Sequence, residues 1–258
     1  SQGEGKGSDS LASLYTKSYY LYDCGGHQAF RENGTSHVWD HRLLGILALA
    51  SIGPEGSLLD LGCGRGEILQ QAAKRGSRTV GVDYSEESLA LVRASLDGDS
   101  AQSGIELIQA NASKLELNDK FDVVVASDLI EHMTPEEVEN CYEKTASMLS
   151  PEGIFVVHTF PNSWYYEYGY NRRRQEARAL GAYLPAEPRS RFERLMHVNE
   201  QNPRIMRRQL KRHFPHLLFW FGSPENPLIE GYVHLSQQTK NVNLGPKPGM
   251  ESSFSLKS

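Results

Sequence analysis

The stretch Leu58-Leu59-Asp60-Leu61-Gly62-Cys63-Gly64-Arg65-Gly66-Glu67 decides the fold. Its first four residues read as a short buried strand. The glycines at 62, 64 and 66 read as a tight turn, and Glu67 as the opening of a helix. A strand that turns sharply into a helix is the starting unit of a layered α/β domain. Asp83 closes the next apolar run, 21 positions after Gly62. An acid at that place can accept hydrogen bonds from two ribose hydroxyls.

Outward from this stretch the pattern alternates. Strands are expected at Leu58–Leu61, Thr79–Val82, Ile105–Gln109, Phe121–Ala126 and Ile154–Thr159, with closing strands at Leu217–Phe221 and Gly231–Leu235. Helices are expected near Glu67–Lys74, Glu86–Leu96, Pro135–Leu149 and Arg204–Arg212. Thr134-Pro135-Glu136-Glu137 is a helix start: a capping hydroxyl, proline at the first helical position, then acids. Runs such as Val123-Val124-Val125 suit strands buried on both faces. The expected fold class is therefore α/β: a Rossmann-like, seven-stranded, mostly parallel sheet with helices on both faces and an antiparallel final strand. The expected organisation is a disordered start at 1–10, a helical cap at 11–56, the main domain at 57–235 with a lid at 160–203, and a flexible tail at 236–258.

The glycine spacing separates two cofactor classes. A dinucleotide-binding turn reads G-x-G-x-x-G. Here the third glycine comes one residue sooner and Asp60 precedes the first. A pyrophosphate favours helix N–H groups without a carboxylate beside them, whereas a ligand bearing an ammonium and a sulfonium makes use of the acid. This points to S-adenosylmethionine and away from NAD.

The segment Ser57 to Thr159 resembles the class I S-adenosylmethionine-dependent methyltransferases, whose first motif reads approximately L-D-x-G-C-G-x-G. The resemblance implies that Gly62, Cys63, Gly64 and Asp60 hold the methionine part of the cofactor. It implies that Asp83 binds the ribose, that Tyr84 packs on the adenine, and that Asn111-Ala112 contacts the adenine where the family usually has Asp-Ala. Ser127 and Asp128 would flank the methionine end. Tyr19-Tyr20-Leu21-Tyr22-Asp23-Cys24-Gly25-Gly26 is more weakly similar to members acting in polysaccharide and other small-molecule pathways. That similarity implies that the N-terminal helices close over the cofactor, with Tyr20 near its methionine end.

Candidates for chemistry at the acceptor are Glu131, His132 and His158, which follow strand ends where open α/β sheets place ligands. A base is needed if the acceptor is a hydroxyl. In Asp128-Leu129-Ile130-Glu131-His132, positions i, i+3 and i+4 share a helical face and could hold a divalent cation, with His197 or His158 as a further ligand. A similar E-x-x-E-H arrangement occurs in quinone O-methyltransferases and small-RNA 2′-O-methyltransferases. The plainer alternative keeps His132 beside the cofactor with no metal.

The chain carries a net charge of -5. Between Arg172 and Arg212 there are twelve basic residues against four acidic ones, so this segment is +8 and the remainder -13. Trp164, Tyr166 and Tyr168, followed by Arg172 and Arg173, are expected to bind substrate, by stacking and by clamping an anion. The partner expected is a small molecule, anionic or sugar-like, such as a nucleotide-linked sugar. The overall acidity and the lack of a recognised RNA-binding module argue against nucleic acid. An RNA 2′-O-methyltransferase and a non-catalytic cofactor-binding regulator stay open as alternatives. Three cysteines with no C-x-x-C pair exclude a disulfide framework. With no long apolar run and no signal-peptide core, the chain reads as cytoplasmic.

Overall fold

A computed structural model of the chain describes residues 8–34, 41–96, 104–222 and 253–257. It begins with a short 3-10 helix, Ser8–Leu14, then α1 (Lys17–Tyr22), α2 (His27–Asn33) and α3 (His41–Ala50). The alternation follows: β1 (Ser57–Leu61), α4 (Glu67–Ala73), β2 (Arg78–Asp83), α5 (Glu86–Leu96), β3 (Ile105–Gln109), β4 (Phe121–Ser127), α6 (Pro135–Met148) and β5 (Leu149–Thr159). Next come α7 (Tyr170–Ala179), α8 (Arg191–Met196), α9 (Pro203–Leu210), β6 (Leu218–Gly222) and β7 (Ser253–Lys257). The sheet order is β3-β2-β1-β4-β5-β7-β6. The first five strands are parallel, and β7 runs antiparallel to both of its neighbours.

This is the Rossmann-like α/β arrangement with a parallel sheet. Chain order reverses between β1 and β4, which opens a crevice at their C-terminal ends. β1 is buried along almost its whole length, as a strand covered on both faces must be. One apolar layer joins α6 and α9 to the sheet through Tyr142, Phe155, Met206 and Phe214. The other joins α3, α4 and α5 through Ile46, Leu47, Leu69 and Val92. α6 starts as its sequence dictates: the Thr134 hydroxyl accepts from the Glu137 N–H, and Glu137 reaches back to the Thr134 N–H.

One departure concerns the chain's end. The expected closing strand Gly231–Leu235 lies outside the described residues. Ser253–Lys257, assigned from sequence to a flexible tail, instead pairs with Val157–Thr159 at the edge of the parallel sheet. The polar composition of 236–258 hid it, because periodicity marks a strand only when one face is apolar. The lid expected at 160–203 is largely helical, starting with a single π-turn at Tyr165–Gly169 that runs into α7.

Candidate active site

A cavity of about 440 Å³ opens at the crevice. Its floor is the glycine turn. Gly62 has φ 70°, and a Cβ there would come within 2.9 Å of Leu129, so the position excludes side chains on both counts. The Gly62 and Cys63 N–H groups donate to the Val82 carbonyl at 2.7 and 3.0 Å, which locks the turn onto β2. Gly64 N–H donates to Asp83 Oδ2 at 3.0 Å and Ser85 N–H to Oδ1 at 2.9 Å. A Cβ on Gly64 would meet only Tyr20, at 4.0 Å, so this part of the turn is open for a ligand to approach.

Asp60, Gly62, Cys63, Gly64, Asp83, Tyr84, Asn111, Ala112, Ser127, Asp128 and Tyr20 all line this one cavity. Asn111 Oδ1 accepts from Ser113 N–H at 2.9 Å and caps the 3-10 turn Ala112–Lys114. Its acceptor oxygen thus serves the backbone. Tyr15, Tyr19 and Tyr20 form an aromatic cluster against Tyr84, with Tyr15 and Tyr84 ring centroids 5.1 Å apart. Arg65 ties this N-terminal segment to the glycine turn by donating to the carbonyls of Tyr20 and Gly25 at 3.0 and 2.6 Å.

The cavity gathers buried carboxylates. Burial raises the Asp60 carboxyl well above its ordinary value, and Asp83 and Glu67 push it further. Burial also raises Asp83, against hydrogen bonds that pull it down. A bound cation would lower both again.

Asp128 and Glu131, three residues apart, are treated oppositely. Asp128 has φ 49°, in the left-handed region that short polar side chains tolerate. Burial works to raise its carboxyl, but Arg42, His158 and Ser127 outweigh that and hold it below the usual range. Glu131 is fully buried. Burial and the charge on Asp128 push it up to about 8. Its Oε2 accepts from the Thr159 hydroxyl at 2.9 Å, while Oε1 has no partner among the described residues.

His132 lies beside Glu131, and burial lowers it to about 3, with His197 adding to the shift. Its ring stands edge-on to His197, centroids 4.7 Å apart. Ligand atoms of Glu131, His132 and His197 lie within 4.8 Å of one another. His197 was foreseen only as a spare metal ligand; nothing local in the sequence marks it. Phe160, Phe192, Glu193 and Met196 also line this end and were not foreseen.

Several expected site residues are elsewhere. His158 is buried behind Asp128, its Nδ1 2.8 Å from Asp128 Oδ1, and it is not part of the cavity wall. Trp164, Tyr166, Tyr168, Arg172 and Arg173 do not line the cavity. The aromatics and arginines of the segment engage each other instead: Arg189 covers Tyr166 at 3.6 Å, and Arg204 covers Trp164 at 5.3 Å. Arg172 pairs with Glu176 one helical turn on, and Tyr168 is exposed.

Residues 58–153 match the family model described as a methyltransferase domain. Over these residues the likeness supports a methyltransferase domain of the class I S-adenosylmethionine-dependent kind. The chain is 30% identical over 107 residues to a ubiquinone biosynthesis O-methyltransferase of Bradyrhizobium diazoefficiens, a match covering 42% of this chain and 41% of the relative. The chain thus spans about half or less of the length of the curated relatives it matches. Among solved structures it is similar to a TehB-like SAM-dependent methyltransferase of Corynebacterium glutamicum, with a TM-score of 0.52 and 14% identity over 90% of this chain and 94% of that one. It is also similar to the glycopeptide N-methyltransferase MtfA complexed with sinefungin, with a TM-score of 0.56 and 15% identity over 88% and 89%. At those identities the likeness is one of fold. No helix among the described residues is long and apolar enough to cross a membrane.

Proposed function

We propose that the chain methylates an oxygen of a small molecule, using S-adenosylmethionine. The observation that carries this reading is the convergence of the buried carboxylates Asp60, Asp83 and Glu131 on one cavity floored by an open glycine turn. Buried acids of raised pKa call for a cationic or hydrogen-bond-donating ligand. The residues present fit the cofactor. Asp83 would take the ribose hydroxyls, Asp60 and the Gly62–Gly64 backbone the amino-acid end, and Tyr84 and Ala112 the base.

When bound, the cofactor supplies an activated methyl group on a sulfonium. The chain's own residues supply alignment, dryness and a proton acceptor. Tyr15, Tyr19 and Phe192 wall the site against water. Glu131, with one oxygen held by Thr159 and the other without a partner among the described residues, is placed to accept the proton of an acceptor hydroxyl once it is ionised, a state its raised value makes available as pH approaches 8. His132 stays neutral at physiological pH and can accept a hydrogen bond. The O-methyltransferase names of the relatives support oxygen as the acceptor atom. An anionic sugar loses its main support, since Arg172 and Arg173 stand off the cavity and the acceptor end is rich in carboxylates. A flat, neutral phenol or catechol suits the aromatic walls better.

One observation favours a second reading, metal assistance: the ligand atoms of Glu131, His132 and His197 lie within 4.8 Å. Three measurements test both readings. Calorimetric titration with S-adenosylhomocysteine should show micromolar binding, and its failure in a folded sample sinks the cofactor assignment. Transfer of labelled methyl should favour catechols over phosphorylated sugars, and the reverse preference sinks the acceptor assignment. Loss of transfer in chelator, restored by magnesium, manganese or zinc, selects the metal-assisted form.

A further inference from the structure

The segment between β5 and α9 contains a part that the cavity does not use. α7 has ten residues, of which only Tyr170 is buried. The Tyr170 hydroxyl donates to the Pro185 carbonyl at 2.9 Å, and Arg174 Nε to the Leu184 carbonyl at 3.4 Å. The chain therefore turns at Gly181, whose φ is 77°, and runs back along the helix. The result is an arm with solvent on most sides. At its tip Leu180 is 86% exposed and Tyr183 84% exposed. Along its shaft Arg172, Arg173, Arg174 and Arg178 face a single acid, Glu176, between Tyr170 and Tyr183.

A polar helix this short is marginal by itself in water. Large apolar side chains exposed together at a tip, backed by arginines, form an amphipathic end of the kind that suits a membrane interface. The geometry points to an anionic lipid bilayer as the partner of this arm. Leu180 and Tyr183 would enter the boundary between headgroups and acyl chains, and the arginines behind them would meet lipid phosphates. Charge complementarity makes the choice between macromolecules. Nucleic acid would use the arginines but has no place for Leu180, which is 86% exposed. The contact needs no residue of the cavity, so it is independent of which acceptor is methylated.

The test is co-sedimentation of the full chain with phosphatidylglycerol-containing vesicles and with pure phosphatidylcholine vesicles. The wild type should pellet with the former only, and less so as salt rises. Leu180→Asp/Tyr183→Asp should weaken binding at least about tenfold, and Arg172→Gln/Arg173→Gln/Arg178→Gln should abolish the preference for anionic lipid. Both variants should keep the wild-type thermal midpoint, since the exchanged side chains lie at the surface. A wild type that stays in the supernatant overturns the proposal, as does an aspartate variant that pellets unchanged. Binding to single-stranded RNA without vesicle binding would assign the arm to nucleic acid instead. A dimer lost in the aspartate variant, again without vesicle binding, would assign it to a second copy of the chain.

Discussion

At the glycine-turn end of the cavity, Asp60, Gly62, Gly64 and Asp83 come from one strand–turn–helix–strand unit. Their positions are fixed by backbone hydrogen bonds within that unit. At the end proposed for the acceptor, Glu131 and His132 follow β4, and His197 reaches them from a separate helical excursion after β5. The first end is a property of a local turn, the second of a tertiary meeting. The first should tolerate no change in backbone but modest change in charge. The second should keep its fold when a side chain is altered and lose its chemistry.

The largest expected effect tests that second half. Glu131→Gln keeps the shape and the Thr159 contact while removing the proton acceptor. Turnover should fall by about 10²–10⁴, with S-adenosylhomocysteine affinity unchanged in calorimetry. A variant with normal labelled-methyl transfer would remove Glu131 from the chemistry, and one that also failed to bind cofactor would merge the two ends into one. Next in size, Asp83→Ala should weaken S-adenosylhomocysteine binding by about 10- to 100-fold, the loss of charge-assisted hydrogen bonds to a ligand. Equal affinity in a folded variant would break the ribose assignment. Smaller again, His197→Ala should lower turnover by about tenfold through lost alignment. If the metal reading holds, the same variant should also abolish the calorimetric signal for manganese, which separates the two roles.

The same contrast explains what could be read from the sequence. The glycine-turn end was legible as a structural unit because its physics is local. Glycines at fixed spacing force the turn, and Asp60 and Asp83 lie within 24 residues of each other. The helix start at Thr134 was legible for the same reason. The acceptor end was half legible. Glu131 and His132 were singled out on a helical spacing with Asp128, but Asp128 lies at φ 49° ahead of the 3-10 turn Ile130–His132, and His197 takes its place in the cluster; Phe160, Phe192 and Met196 carry no signal apart from their place in the fold. The misplaced residues are instructive too. Trp164, Tyr166, Arg172 and Arg173 have the composition of a substrate clamp, yet arginines can satisfy aromatic faces and acids of their own segment, as Arg189 does with Tyr166 and Glu200. Composition gives the ingredients of a site and says nothing about which way side chains turn.

The smallest expected effect is the sharpest test of the Asp128–Glu131 contrast, because it needs no substrate. Glu131 is raised in the fold from 4.5 to about 8. Between those values the folded protein holds a proton that the unfolded chain has released. Its contribution to stability is therefore complete below about pH 4.5 and is lost as pH rises toward 8. Glu131→Gln removes that loss, so its thermal midpoint should exceed the wild type's by a few degrees near pH 8, with the gap closing toward pH 5. Asp128 is depressed, and its sign is opposite. Its pairing with Arg42 and His158 stabilises the fold above the ordinary carboxylate range and fades as pH falls through its lower folded value. Asp128→Asn should therefore cost most at neutral pH and progressively less in acid. Parallel pH profiles for the two variants would mean that the carboxylates share one environment. Crossed profiles would mean that three residues of chain separate an acid held charged from one held ready to change.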